Sequence, residues 1–76
     1  MNKLLFNTQI GETLRKLRIN KKHSQNFVAD CLNMSRTAYK EWENGQIDFT
    51  ISKLERVALF YEIHLTDLIP PPQIVR

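Results

Sequence analysis

Apolar residues recur along this chain at spacings of three and four, and no useful length alternates apolar and polar at every second position. That is the period of a helix with one buried face. Ile10, Leu14 and Leu17, with Ile19 at the margin, predict a first helix over about 8–20. Phe27, Val28, Cys31 and Leu32 predict a second over 25–32, and Ala38, Tyr39 and Trp42 a third over 36–44. Leu54, Val57, Ala58 and Tyr61 mark a fourth over 51–61, and a short fifth turn over 65–69 packs Leu65, Leu68 and Ile69. The expected fold is all-α, a compact bundle of four to five short helices.

The boundaries of these segments carry cap chemistry. Ser24, Ser35 and Thr50 each stand just before a helical pattern, where a hydroxyl can accept from a free backbone N–H. Met34 can staple onto Tyr39, and Phe49 onto Leu54. Asn44-Gly45 ends the third helix with residues that tolerate a left-handed backbone. The "PPP" at 70–72 stops any helix. The organisation expected is an N-terminal extension over 1–7, one domain over 8–69 and a Pro-rich C-terminal tail over 70–76.

Length and composition remove several function classes. Seventy-six residues make one small domain, whose core supplies only about 3–5 kcal/mol. The single cysteine allows no intramolecular disulfide and no cysteine metal cluster. Cys31 falls within the apolar arc of the second helix and is expected to be a small buried hydrophobe. His23 and His64 lack a second ligand at metal spacing, so no metal or other cofactor is expected. Glu41 and Glu43 are two residues apart, point different ways and make no acid–base pair. With no nucleophile–base pair and no phosphate loop, an enzyme is not expected. No apolar run approaches the roughly 20 residues that span a bilayer, and "MNKLLFN" does not read as a signal peptide. A cytoplasmic protein without a membrane partner is expected.

The net charge of +3 is unevenly placed. Residues 1–40 carry eight Lys/Arg against two acids, and residues 41–76 carry three against six. The basic half has the sign a phosphate partner needs, and solvated helix faces would carry the same charges.

The stretch "SRTAYKEWENG" at 35–45 sharpens the choice. On a helix, Ala38, Tyr39 and Trp42 share the side that can bury, while Arg36, Thr37, Lys40, Glu41 and Asn44 share the other. A helix fits the DNA major groove, where each base pair presents its own donors and acceptors. Arg36 can fork onto guanine, Thr37 can bond a base edge or touch a thymine methyl, and Lys40 can reach guanine or a phosphate. Glu41 can accept from cytosine. Gln25 opens a helix whose free N–H groups attract an anion. Ser35 can donate to phosphate as well as cap.

Two short helices joined by Asn33-Met34-Ser35 have the geometry of a helix-turn-helix. The run "SQNFVADCLNMSRTAYKEWENG" resembles that of the XRE family, which includes the phage lambda and Cro repressors. Ser24-Gln25, Ala29, Ser35-Arg36, Trp42-Glu43 and Asn44-Gly45 fall at matching spacing, and the likeness runs from Ile10 through Ile69. The resemblance implies a lambda repressor-like fold, with the helix-turn-helix over about 25–44. It implies a prokaryotic or phage transcriptional regulator that binds specific double-stranded DNA, reading the major groove with residues 36–44, as a homodimer on a near-palindrome. It further implies phosphate contacts from Gln25, Asn44 and Gln46, and a partly buried ion pair between Arg18 and Glu43. A dimer surface would come from the last helices, with Phe60, Ile63 and the tail as candidates; Phe60 either faces out there or closes the core edge. The alternative is a protein-binding module, antitoxin-like or phage-regulator-like, whose protein partner docks on the C-terminal helices or tail. The chain departs from the family in carrying Lys22, Asn33 and Glu62 where glycine is common at helix ends. A left-handed backbone there costs Lys or Glu about 1 kcal/mol each.

Overall fold

The computed structural model describes residues 3–71. Its elements are α1 (Lys3–Asn20), α2 (Gln25–Cys31), α3 (Arg36–Glu43), α4 (Ile51–Tyr61) and a 3-10 turn (Leu65–Leu68). Among the described residues there is no strand. The caps written into the sequence are all used: the hydroxyls of Ser24, Ser35 and Thr50 accept from the N–H groups of Phe27, Ala38 and Lys53. One core joins the elements, built on Ile10, Leu14, Val28, Tyr39, Leu54, Val57 and Leu68, each almost free of solvent contact.

α1 begins at Lys3, five residues before the periodicity predicts, so residues 3–7 are helical and not a separate extension. Tertiary contacts hold this first part. Phe6 packs against the core. The buried Asn7 side chain donates to Asp48 at 3.2 Å and accepts from the Phe49 N–H at 3.3 Å. Lys3 pairs with Asp48 at 2.9 Å. No local periodicity carries that information, because the partners lie beyond α3.

α1 and α3 approach at backbone distance. A Cβ on Gly11 would stand 2.4 Å from the Glu43 carbonyl oxygen and 2.8 Å from that of Trp42. A Cβ on Gly45 would meet the Thr8 Cα at 2.7 Å. Trp42 then fills the space beneath, with the Phe49 ring edge-on at 5.9 Å.

Two sequence expectations fail on α2. Phe27 and Cys31 are exposed, not buried. The inward stripe of this two-turn helix is Val28, Ala29 and Leu32, about one residue round from the arc the apolar types suggest. Phe27 instead lies beside the His23 ring at 4.5 Å. Ile19, marginal in the α1 pattern, is half-exposed. Phe60 and Ile63 are half-buried against the core, with the Phe60 ring edge-on to Tyr61 at 4.8 Å. Of the tail, residues 72–76 lie outside the described residues.

All four helices stop in the same way. The N–H of His23 reaches back to Arg18, Met34 to Ala29, Gln46 to Glu41 and Ile63 to Ala58, each at 2.9–3.0 Å. The residue before each of these is left-handed: Lys22 at φ 60°, Asn33 at 58°, Gly45 at 70° and Glu62 at 55°. Such a double-bonded stop satisfies carbonyls that the helix itself leaves free. Three of the four are therefore left-handed without glycine. Lys22→Gly and Glu62→Gly should each stabilise the domain by about 0.5–1 kcal/mol, raising Tm by roughly 3–8 °C in a thermal melt. A lower Tm for both variants would mean that these side chains hold contacts outweighing the strain.

Candidate nucleic-acid interface

α2 and α3 are joined by residues 32–35, and Ser35 caps α3 so that its first turn stands out from the body. Arg36, Thr37, Lys40, Glu41 and Asn44 are all exposed on α3 and its end, and Gln46 is exposed just after it. Tyr39, Trp42 and Glu43 are buried on the opposite side, and Ala38 is half-buried between. The helix is thus split between a seated face and a free polar strip. Ser35 is exposed, with its hydroxyl accepting from Ala38 N–H at 3.1 Å.

A charged cluster ties this pair of helices to α1. Arg18 forks onto the Glu43 carboxylate, Nε at 2.6 Å from one oxygen and Nη2 at 3.2 Å from the other. Its remaining arm, Nη1, donates to the His23 carbonyl at 3.0 Å, so it also braces the turn into α2. Both side chains are largely withdrawn from water, at 14% and 3% exposure. Gln25 joins them, donating Nε2 to Glu43 at 3.3 Å. That nitrogen carries two hydrogens and Glu43 takes one, so the second hydrogen and the amide oxygen are spare capacity for a further partner. Gln25 thus sits half-buried at the start of α2, held in one orientation. A shallow notch lined by Arg18, Ser24, Gln25, Asn26 and Arg36 connects it to the free strip of α3.

The cluster's electrostatics follow from burial and pairing. Burial pushes the Glu43 carboxyl up, but contacts with Arg18, Tyr39 and Gln25 outweigh it and hold the group below its ordinary range. The bond to Glu43 raises Arg18 in turn. Tyr39 and Tyr61 lie in the same field; both hydroxyls are buried, and neither makes a hydrogen bond of standard geometry. Burial, then the neighbouring Glu43, raises Tyr39 far above its usual value and Tyr61 to about 12. The Tyr39 hydroxyl therefore faces inward.

Four participants escape sequence reasoning. Gly11 is an isolated glycine inside a helical pattern, a cue for close backbone approach. Asn7 and Asp48 give no local signal, since they meet across 41 positions. Arg56 counts in the sequence only as one more cation. Among the described residues no cluster of three His, Cys, Asp or Glu could hold a metal ion, and no helix is long and apolar enough to cross a membrane.

The sequence model of a helix-turn-helix family, HTH_3, matches residues 14–68. Comparison with curated proteins gives no match. Among solved structures, the BldD DNA-binding domain of S. venezulae is 24% identical, with a TM-score of 0.76 over 87% of this chain and 99% of that one. The restriction-modification controller protein C.AhdI from Aeromonas hydrophila is 26% identical, with a TM-score of 0.74 over 82% of this chain and 94% of that one. HppE, crystallised with Fe(II) and an alternative substrate, is 27% identical with a TM-score of 0.79, but the match spans 87% of this chain and only 34% of that one.

Proposed function

The chain belongs to the HTH_3 helix-turn-helix family, and on that premise we propose that it is a non-enzymatic, sequence-specific regulator of transcription that binds double-stranded DNA. α3 enters the major groove. Arg36, Thr37, Lys40 and Glu41 contact base edges, and Gln25, Ser35, Asn44 and Gln46 contact phosphates. The observation that carries this reading is the divided α3: a strip of donors and acceptors left free while Tyr39, Trp42 and Glu43 seat the helix. A merely solvated face needs no such mixture of fork donor, hydroxyl, ammonium, carboxylate and amide. The reading includes action as a dimer on two half-sites about one helical turn apart, the usual arrangement for helix-turn-helix proteins. The likeness to the BldD DNA-binding domain and to the restriction-modification controller protein C.AhdI supports this reading.

The same fold makes up about a third of HppE, a protein crystallised with Fe(II) and an alternative substrate, so it is not confined to chains described as regulators. Glu41 on the free strip, which would repel a phosphate, favours the second reading, a module whose α3 or C-terminal helices hold a protein.

Selection from a randomised duplex pool at two salt concentrations separates the two. The wild type should enrich a defined half-site, with affinity falling on a log–log salt plot by about 0.9 per phosphate contacted. Arg36→Ala should lose about 1–3 kcal/mol of discrimination at one or two bases and less at the others. A wild type that retains no duplex at low salt would overturn the DNA reading and leave the protein-binding one.

A further inference from the structure

The Arg56 side chain lies outside the strip and the α1 cluster, yet it touches both helices of the helix-turn-helix. From α4 its guanidinium Nη2 donates to the Leu32 carbonyl. The same guanidinium lies over the Trp42 ring, 5.8 Å from the centroid. We propose that Arg56 is a positioning residue for the recognition helix, clamping the end of α2 and the buried ring of α3 to one group on α4. The proposal rests on the DNA-reading role of α3.

Three observations lead there. First, α2 has no basic residue in its last turn. Its carbonyls at Val28, Ala29 and Asp30 are taken by the N–H groups of Leu32, Met34 and Asn33, and the Leu32 carbonyl beyond them takes the Arg56 cation. A helix C-terminus favours a cation, and here α4 supplies it. Second, the ion pairs among the described residues are Lys3–Asp48 and Arg18–Glu43, so within them Arg56 is placed by a carbonyl and a ring and not by a carboxylate. Third, Leu32 opens the turn 32–35 and Trp42 is the seat of α3, so one planar group fixes both sides of that turn. Arg suits the task because its fork can bond and stack at once, whereas Lys offers a single point of charge.

The physical consequence is selective. Base contacts need the reader held within about 0.5 Å, whereas phosphate contacts tolerate more play. Loosening the clamp should therefore lower preference for the selected half-site more than it lowers general affinity for DNA.

Arg56→Met keeps the apolar stem and removes the fork; Arg56→Lys keeps the charge. In Arg56→Met, half-site affinity should fall about tenfold, while affinity for unrelated duplex changes less than about twofold and the salt slope stays constant. Hydrogen exchange at Asn33 and Met34 should speed up about tenfold relative to the slowest α1 amides. The emission of Trp42, the chain's one tryptophan, should shift. Arg56→Lys should recover part of each effect, and it carries the test if Arg56→Met does not fold. Unchanged exchange and preference would overturn the clamp. So would an equal loss for both duplexes with the slope reduced by about 0.9, which would make Arg56 a phosphate contact. If the wild type binds no DNA, the reading of α3 falls, and exchange and emission still decide the clamp: changes confined to the turn and Trp42 support it, and their absence overturns it.

Discussion

Gly11→Ala should unfold the domain or leave it with little residual stability. Helix propensity alone says the reverse, since alanine inside a helix is favoured over glycine by about 1 kcal/mol. Packing decides the sign. The added carbon would lie 2.4 Å from one backbone oxygen and 2.8 Å from another, both on α3. Neither can rotate away as a side-chain tip could, so α3 must move as a body. That movement pulls at the Arg18–Glu43 fork and at the Trp42 seat together. Overpacking costs about 1–3 kcal/mol or more, against a domain whose core supplies only about 3–5 kcal/mol. Urea unfolding followed by circular dichroism should show the midpoint collapsing. A midpoint at or above the wild-type value would mean that α1 and α3 are not in backbone contact.

The second large effect concerns the buried charges. Arg18→Met should cost about 3–5 kcal/mol, because it leaves the Glu43 carboxylate in the core with only Gln25 and Tyr39 nearby. Arg18→Met combined with Glu43→Leu should recover much of the loss, since no charge is then stranded. The pH dependence follows from the direction of the Glu43 shift. Its folded value lies below the ordinary 4.5, so between the two values the unfolded chain binds more protons. The contribution is therefore present above about pH 4.5 and lost as pH falls through the folded value. Other carboxylates add their own acid limbs, Asp48 among them through Lys3. The difference between wild type and Glu43→Gln isolates Glu43: stability measured from about pH 3 to about pH 7 should lose part of its acid slope in the variant. Identical slopes would mean that Glu43 titrates alike in both states.

The legible part of this fold was whatever local chemistry writes. Ser24, Ser35 and Thr50 cap where a hydroxyl before a helical pattern says they should, and the third and fourth helices have nearly their expected bounds. The exposed strip of α3 was legible too, because Tyr39 and Trp42 leave one other side free. The start of α1 was not, because Asn7 is helical and buried only through residues near position 48. Phe27 and Cys31 misled because a helix of seven residues offers too few turns for apolar type alone to fix which stripe faces inward. The left-handed ends at Lys22 and Glu62 were legible only as positions where glycine was missing. The partners of Gln25 and Arg56 are tertiary, so the sequence gives their chemistry without their addressees.

The lock between Asn7 and the stretch at 48–49 also sets an order of events. It closes loops of 41 and 42 positions, whereas the caps of α2, α3 and α4 close over three. Short-range turns form early, and long-range closure waits on chain entropy. During synthesis α1 therefore leaves the ribosome before the residues that lock its first turns. Until residue 49 emerges, the buried Asn7 side chain has neither the Asp48 carboxylate to donate to nor the Phe49 N–H to accept from.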